Sequence, residues 1–145
     1  MAIAVSPLAV QLPELPRLAG VRLAATAAGI RYKNRTDLVL MEVAAGSTVA
    51  GVFTSNKCPG APVDWCRAAL RGGQARMVVV NAGNANVFTG QAGRDACAAT
   101  ADAAAQLAGC QPEQVFVAST GVIGEVLPHE KIVAALPGLQ QSLSE

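Results

Sequence analysis

The sequence predicts a mixed α/β fold built in layers. Short apolar runs of strand length recur along the chain, and in the second half they alternate with helical segments, whereas the first half favours strands. Hydrophobic residues make up 52% of the 145 residues but aromatic residues only 3%, and much of the apolar content is alanine. Such a composition indicates a core in which backbones pack closely. The length suits one domain or part of a larger one.

The first half is predicted to form a hairpin that follows an N-terminal arm. Residues 1–18 contain three prolines and are expected to be an extended arm. Residues 19–30 suit a strand and a turn. Residues 37–43 have the pattern of a buried strand, and residues 48–54 that of a second strand. The turn between these last two runs favours their pairing as a hairpin.

A short helix and a buried strand are expected next. Residues 64–70 suit a helix that is stopped by Gly72 and Gly73. The continuous apolar run at residues 77–80 is typical of a strand covered on both faces. It ends abruptly in residues 81–86, which contain three asparagines and are expected to be a polar loop.

A long helix is predicted over residues 90–108, with Thr89 as its N-cap and Gly109 as its C-terminal stop. Residues at helical spacing give it a narrow apolar stripe of small side chains. The predicted stripe consists of Ala92, Ala96, Ala99, Ala103 and Leu107.

A further apolar strand over residues 115–118 runs into Ser119, Thr120 and Gly121. The last helix is predicted to open at Pro128 and to end at Pro137-Gly138.

The charge and the cysteines exclude several kinds of site. The net charge is +1 and no basic face is visible, so nucleic acid is not expected as a partner. The four cysteines form no C-x-x-C pair and the one histidine, His129, is distant from them in sequence, so no metal site is expected. Neither a signal peptide nor a membrane-spanning run is apparent, and we expect a cytoplasmic protein with free thiols.

Two polar segments at strand ends could carry chemistry. Residues 81–86 place carboxamides where open sheets tend to bind ligands, although a plain asparagine turn explains the same residues better. In residues 118–124 a hydroxyl precedes a glycine N–H group, and these two donors could face one developing oxyanion. Taken alone, that segment is explained better as a strand-to-turn junction without a ligand.

The remaining candidates have ordinary structural explanations. His129 is interpreted as a solvent-facing residue at a helix terminus. Cys58 could be a nucleophile, and a cysteine hydrolase is a weaker alternative, but no base accompanies this thiol in the sequence. The basic residues of the early chain are interpreted as a solvated edge. They are Arg17, Arg22, Arg31, Lys33 and Arg35.

An ordered series of motifs resembles the N-terminal part of the arginine-biosynthesis ornithine acetyltransferases, also called bifunctional glutamate N-acetyltransferases. Their order and spacing carry the resemblance, since no single motif is diagnostic. The motifs are Gly20-Val21-Arg22-Leu23, Ala27-Ala28-Gly29-Ile30, Val49 to Asn56, Ala61 to Arg67, Val80 to Asn86, Thr89-Gly90, Ser119 to Gly124 and Leu127-Pro128.

The resemblance implies a layered α/β sandwich and a reaction. Members of that family transfer an acetyl group from N-acetylornithine to glutamate through an acetyl-threonine intermediate, and some also use acetyl-CoA as a co-substrate. No bound cofactor or metal is implied. The nucleophilic threonine becomes N-terminal by autocatalytic cleavage of the precursor, and its α-amine helps to activate it. Two copies of each resulting chain form a heterotetramer.

One pair of site residues carries over from the family motif. Thr120 and Gly121 match the family's oxyanion hole, whereas the nucleophile and most substrate-binding residues lie beyond Glu145. Residues 1–145 are therefore expected to be the N-terminal portion of a single acetyltransferase domain, truncated before the family's cleavage point and inactive alone. The alternative is a catalytically inactive module that serves in folding or in binding a ligand or partner.

Overall fold

The computed structural model describes Leu8, Val10, Pro13, Glu14 and residues 16–145. The predicted arm over residues 1–18 therefore lies mostly outside the described residues. The described part of the chain forms one sheet and three helices, which confirms the mixed α/β prediction. The elements in order are β1 (Val21–Thr26), β2 (Leu38–Val43), α1 (Ala61–Ala69), β3 (Met77–Asn84), α2 (Gly90–Ala108), β4 (Val115–Val122) and α3 (His129–Gln141).

The four strands lie in the order β1-β2-β3-β4. The pairs β1–β2 and β2–β3 are antiparallel, while β3 and β4 are parallel and are connected through α2. The carboxyl ends of β3 and β4 consequently meet at the same edge of the sheet.

One face of the sheet supplies the core. Side chains from alternate positions of the strands are buried with side chains of the three helices in a single cluster. The strand residues in it are Ala24, Leu38, Leu40, Met77, Val79, Val115 and Val117. On the other face, Val78 and Val80 are only half-buried, so among the described residues the prediction that this strand is covered on both faces is wrong.

The predicted hairpin between residues 37–43 and 48–54 is also wrong. β2 pairs with β1 on one side, with Leu23 opposite Met41, and with β3 on the other side. Both edges of β2 are thus occupied, and no edge remains for residues 48–54. Thr48 forms an isolated bridge with Gln74, and residues 50–58 are exposed without regular secondary structure.

The bounds of α2 agree with the prediction, but its buried face is rotated. Gly109 follows the helix in the left-handed conformation, as predicted, whereas Thr89 precedes the helix without a side-chain capping bond. Ala92, at the start of the predicted stripe, is exposed. Since α2 lies against the sheet and both other helices, its buried face is broad and consists of Gly93, Ala96, Cys97, Thr100, Ala101, Ala104 and Ala105.

The other two helices differ from prediction in their bounds, and α1 ends at Ala69, where a 3-10 turn over Leu70–Gly72 follows it. α1 begins three residues earlier than residue 64, because Pro62 fits the first turn of a helix. α3 follows Pro128 as predicted but continues through Pro137 to Gln141. The buried Leu136 and Leu139 on either side of Pro137 hold that part of α3 against the core. Within the described residues, none of the helices has the length and apolarity needed to cross a membrane.

Candidate functional site

The two polar segments singled out in the sequence lie side by side in the structure. Both β3 and β4 are longer than predicted, because each continues for four residues past its apolar run. Their parallel register pairs Asn81 with Ser119, Ala82 with Thr120 and Gly83 with Gly121. Residues 81–84 are therefore strand rather than loop, and they lie directly beside Thr120 and Gly121.

The Thr120 hydroxyl is accessible. Thr120 is exposed, and its Oγ–H donates to the carbonyl oxygen of Asn81 across 3.4 Å, which is longer than the range of about 2.5–3.0 Å that is usual for hydroxyl hydrogen bonds. Such a weak contact leaves the hydroxyl free to turn towards a stronger acceptor. A negatively charged oxygen would be one, since hydrogen bonds to charged acceptors are shorter and stronger.

Gly121 occupies a position that admits no side chain. Its φ of +133° lies in a region that other residues rarely adopt. A Cβ atom there would lie 2.6 Å from the nitrogen of Asn84 and would also overlap the carbonyl carbon of Gly83. The absence of a side chain lets β3 and β4 approach closely, and it leaves the Gly121 backbone exposed beside Thr120.

The carboxamides of the asparagine segment, Asn81–Asn86, are used internally. Asn81 accepts from the Ser119 hydroxyl at 2.6 Å and donates to the carbonyl oxygen of Asn84 at 2.9 Å. Asn84 accepts from the backbone N–H of Asn86 at 2.8 Å and donates to the carbonyl oxygen of Glu125 at 3.0 Å. These bonds fix the strand ends, so the asparagines shape the site and leave ligand contact to other residues.

Asn86 is completely buried and joins the end of β3 to α2. Its side chain donates to the carbonyl oxygen of Gly93 at 2.9 Å and lies 3.4 Å from the Cys97 sulfur. It also accepts from the Thr89 hydroxyl at 2.8 Å, which explains why Thr89 does not cap the helix. Its φ of +52° lies in the left-handed region, which asparagine tolerates better than most residues.

A cleft of about 250 Å³ opens beside Thr120 and Gly121. Its lining includes Ala82, Gly83 and Val122 from the two strands, and Tyr32, Arg35 and Asp37 from the loop that precedes β2. From the sequence, Arg35 is expected on a solvated edge, and Tyr32 has no predicted role. No sequence pattern predicts this placement of Tyr32 and Arg35, because it depends on residues 27–36 crossing the sheet edge next to β3.

The cysteines and the histidine lie elsewhere. Cys58 is exposed and Cys66 and Cys97 are buried. Burial raises the pKa of the Cys66 thiol and raises that of Cys97 to about 12, so both are held as neutral thiols. His129, the first residue of α3, is partly covered and lies 3.7 Å from the Glu130 carboxylate. No base contacts Cys58 in the described part of the chain, and no metal-binding group of histidine, cysteine and carboxylate side chains is found there.

A family model described as the ArgJ family matches residues 22–145. Over 141 residues the chain is 62% identical to the arginine biosynthesis bifunctional protein ArgJ of Gluconobacter oxydans, covering 97% of this chain and 33% of that protein. The corresponding protein of Bradyrhizobium diazoefficiens is 55% identical over 143 residues, covering 98% and 35%. The chain spans about a third of the length of these curated relatives.

Two solved structures share the fold. The ornithine acetyltransferase of Mycobacterium tuberculosis, solved in complex with ornithine, superposes with a TM-score of 0.83 at 37% identity and covers 87% of this chain and 68% of that chain. The ArgJ protein of Bacillus halodurans gives a TM-score of 0.76 at 30% identity, with coverage of 85% and 63%. These matches confirm the layered α/β fold of the ornithine acetyltransferase type.

Proposed function

Because the chain belongs to the ArgJ family and corresponds to its N-terminal part, we propose that residues 1–145 are the N-terminal portion of a single acetyltransferase domain. The enzyme it helps to form transfers an acetyl group from N-acetylornithine to glutamate in arginine biosynthesis. The observation that carries this proposal is the pairing of Thr120 and Gly121 with the end of β3, beside a cleft and at the position of the family motif.

Thr120 and Gly121 form the oxyanion hole in this proposal. A threonine supplied by the complementary part of the enzyme attacks the acetyl carbonyl, and its α-amine takes the hydroxyl proton. The carbonyl oxygen becomes an oxyanion between the Thr120 Oγ–H and the Gly121 N–H. The tetrahedral intermediate then expels the amine of ornithine, which receives the proton, and leaves an acetyl-threonine. The amine of glutamate attacks this ester through the same oxyanion geometry and gives up a proton to the α-amine. The ester C–O bond then breaks, N-acetylglutamate leaves, and the threonine oxygen takes the proton back as a hydroxyl.

The structure supports a preorganised site. The Gly83–Gly121 approach and the asparagine bonds fix the backbone around Thr120 before any substrate binds. Donors that are already in place need no reorganisation as charge develops on the oxygen, and this makes them effective in catalysis.

The partners follow from the same proposal. The nucleophile lies in a complementary C-terminal chain, and two copies of each chain assemble as a heterotetramer. Acetyl-CoA is a co-substrate in some members, and no resident cofactor or metal is involved. Since residues 1–145 lack the nucleophile, the chain alone is expected to transfer no acetyl group above background.

The proposal is tested in a hybrid enzyme, in which residues 1–145 replace the corresponding N-terminal third of the Gluconobacter oxydans relative. The hybrid should transfer acetyl groups from N-acetylornithine to glutamate. Thr120→Ala should lower its kcat about 100- to 1000-fold, as expected for loss of one oxyanion donor, while Thr120→Ser should retain most activity. Thr54→Ala, at an exposed threonine that does not line the cleft, is the matched control. An inactive hybrid beside an active parent enzyme, or a fully active Thr120→Ala variant, would contradict the proposal.

A further inference from the structure

The core contains a polar side chain that lacks a protein partner. Thr100 lies on the buried face of α2 and is 3% exposed. Within the described part of the chain, its Oγ is the one buried side-chain oxygen or nitrogen without a hydrogen-bond partner. A threonine inside a helix can donate to the carbonyl oxygen four residues earlier, here that of Ala96, but the Thr100 hydroxyl makes no such bond. A buried hydroxyl without a partner destabilises the folded state, so buried polar groups bind either other protein groups or water.

Thr100 lines a small cavity between α2 and the sheet. The other polar residues that line it are Asn81 and Ser119 at the paired strand ends and Cys97 on α2, and four apolar residues complete the wall. All of the lining residues except Ser119 are buried. The space open to the centre of a water-sized sphere is about 10 Å³. This is close to the lower limit of about 10–15 Å³ that one water molecule requires, so the cavity has room for one water molecule and for nothing larger.

The polar groups around the cavity have unused hydrogen-bonding capacity. The Ser119 hydroxyl donates its proton to Asn81 at 2.6 Å, and in the described residues no donor is bonded to its oxygen. The Thr100 hydroxyl can both donate and accept. A water molecule that accepts from Thr100 can therefore donate to Ser119. The Cys97 thiol adds a weak donor and acceptor, which brings the partners of one water to the two to four that buried waters usually have.

The cavity and the cleft lie on opposite faces of the sheet. Successive side chains of a strand point to opposite faces, so Asn81 and Ser119 face the cavity while the next residues, Ala82 and Thr120, line the cleft. A molecule in the cavity thus lies beneath the strand segment that carries Thr120. It is separated from the cleft by the thickness of the sheet.

We propose that the cavity is a binding site for a single water molecule, which accepts from the Thr100 Oγ–H and donates to the Ser119 Oγ. The water gives the Thr100 hydroxyl its missing partner, and it joins α2 to the end of β4 from the core side. The proposal does not depend on acetyl transfer, because the site lies on the face of the sheet away from the cleft.

A high-resolution crystal structure of the hybrid enzyme tests the site directly. An electron-density peak should lie about 2.7–3.0 Å from both the Thr100 Oγ and the Ser119 Oγ. Thr100→Ser keeps the hydroxyl and should keep the peak, whereas Thr100→Val has nearly the same shape without the hydroxyl and should lose it. An unsubstituted hybrid that lacks the peak, or in which Thr100 donates to the carbonyl oxygen of Ala96 instead, overturns the proposal.

A double-mutant cycle tests the same site in solution, on the 145-residue chain and without any enzymatic activity. Thr100 and Ser119 share no direct hydrogen bond, so coupling between their hydroxyls reports the bridging water. In urea unfolding, the effect of Ser119→Ala on the unfolding equilibrium constant should be about 2- to 5-fold smaller in the Thr100→Val background than alone. Thr54→Val, at an exposed threonine, is the control and should leave the effect of Ser119→Ala unchanged. Additive effects of Thr100→Val and Ser119→Ala would overturn the proposal.

Discussion

The asparagine segment, Asn81–Asn86, and the exposed segment, residues 50–58, reverse the usual relation between polarity and burial. Asn81, Asn84 and Asn86 are buried, with at most 3% of each residue exposed. Val52, in the apolar part of the exposed segment, is 97% exposed. The asparagines are buried because every carboxamide has hydrogen-bond partners, whereas Val52 has no strand or helix packed on it. Partners, and not hydropathy, decide burial here.

The largest difference in stability between the two segments should follow from glycine substitutions, at Gly121 opposite the asparagine segment and at Gly51 in the exposed segment. Gly121, which pairs with the asparagine segment, has a left-handed φ and no space for a Cβ atom, whereas a Cβ atom on Gly51 would have no neighbour within 4 Å. Gly121→Ala should lower the free energy of unfolding by about 2–6 kcal/mol, the sum of backbone strain and overpacking. Gly51→Ala should change it by less than about 0.5 kcal/mol.

Urea unfolding followed by circular dichroism measures both glycine variants. Equal stability of Gly121→Ala and Gly51→Ala would show that β3 and β4 are not held together as closely as the structure indicates.

The next largest difference in stability is expected between a buried and an exposed asparagine, Asn86 and Asn56. Asn86→Ala leaves the Thr89 hydroxyl without its acceptor, removes one hydrogen bond to the carbonyl oxygen of Gly93 and places alanine at a left-handed φ. We therefore expect a loss of about 2–4 kcal/mol. Asn56 also accepts a backbone hydrogen bond, from Cys58 at 3.0 Å, but it is exposed. Asn56→Ala should cost less than about 0.5 kcal/mol, because water replaces that contact.

Asn86→Gly separates the two contributions at this position. Glycine accepts the left-handed φ without strain but also lacks the carboxamide. If Asn86→Gly is as stable as the unsubstituted chain in the same urea titration, the buried hydrogen bonds contribute nothing measurable, and the interpretation of this segment is wrong.

Much of the fold could be predicted from the sequence, because its signals are local. The alternation of apolar runs indicated β1 to β4, and Gly109 indicated the end of α2. The pairing of β2 could not be predicted, since residues 48–54 look as strand-like as β1 and only the assembled sheet shows which edge is occupied. The buried face of α2 was missed because alanine lies on all sides of that helix.

The candidate site, like the fold, could be predicted only in part from the sequence. Thr120 and Gly121 were singled out as possible donors because a hydroxyl beside a glycine follows an apolar run. The cleft itself, and the presence of Arg35 in it, depend on contacts between residues far apart in the chain, such as Asp37 with Ala82. Sequence patterns of a single segment contain no information about such contacts.

At alkaline pH the buried thiol of Cys97 should make the stability of the folded chain depend on pH. The pKa of Cys97, which contacts Asn86, is raised to about 12 from 9.0, chiefly by burial. Between these values the unfolded chain loses its proton and the folded chain does not, so stability falls as pH rises. From pH 8 to pH 10 this one thiol should account for a loss of about 1.4 kcal/mol.

Cys97→Ala should therefore show a smaller loss of stability over that pH range than the unsubstituted chain. Cys58→Ala, in the exposed segment, should show the full loss. Urea midpoints at pH 8 and pH 10 give both values, and the same loss in all three proteins would argue against burial of Cys97.

The smallest expected effect concerns the bond that joins the asparagine segment to β4. The Ser119 hydroxyl donates to Asn81 at 2.6 Å in a partly buried position, so Ser119→Ala should cost about 1 kcal/mol. Ser55→Ala in the exposed segment should cost close to zero.

Because Asn81 keeps its bond to Asn84, the segment should stay in place, and Thr120 should keep its position. In the hybrid enzyme, Ser119→Ala is therefore expected to leave kcat within about threefold of the unsubstituted value, far less than the loss expected for Thr120→Ala. A loss of 100-fold or more would instead make Ser119 a direct participant in the site, and it would transfer part of the oxyanion role from Thr120 to its neighbour.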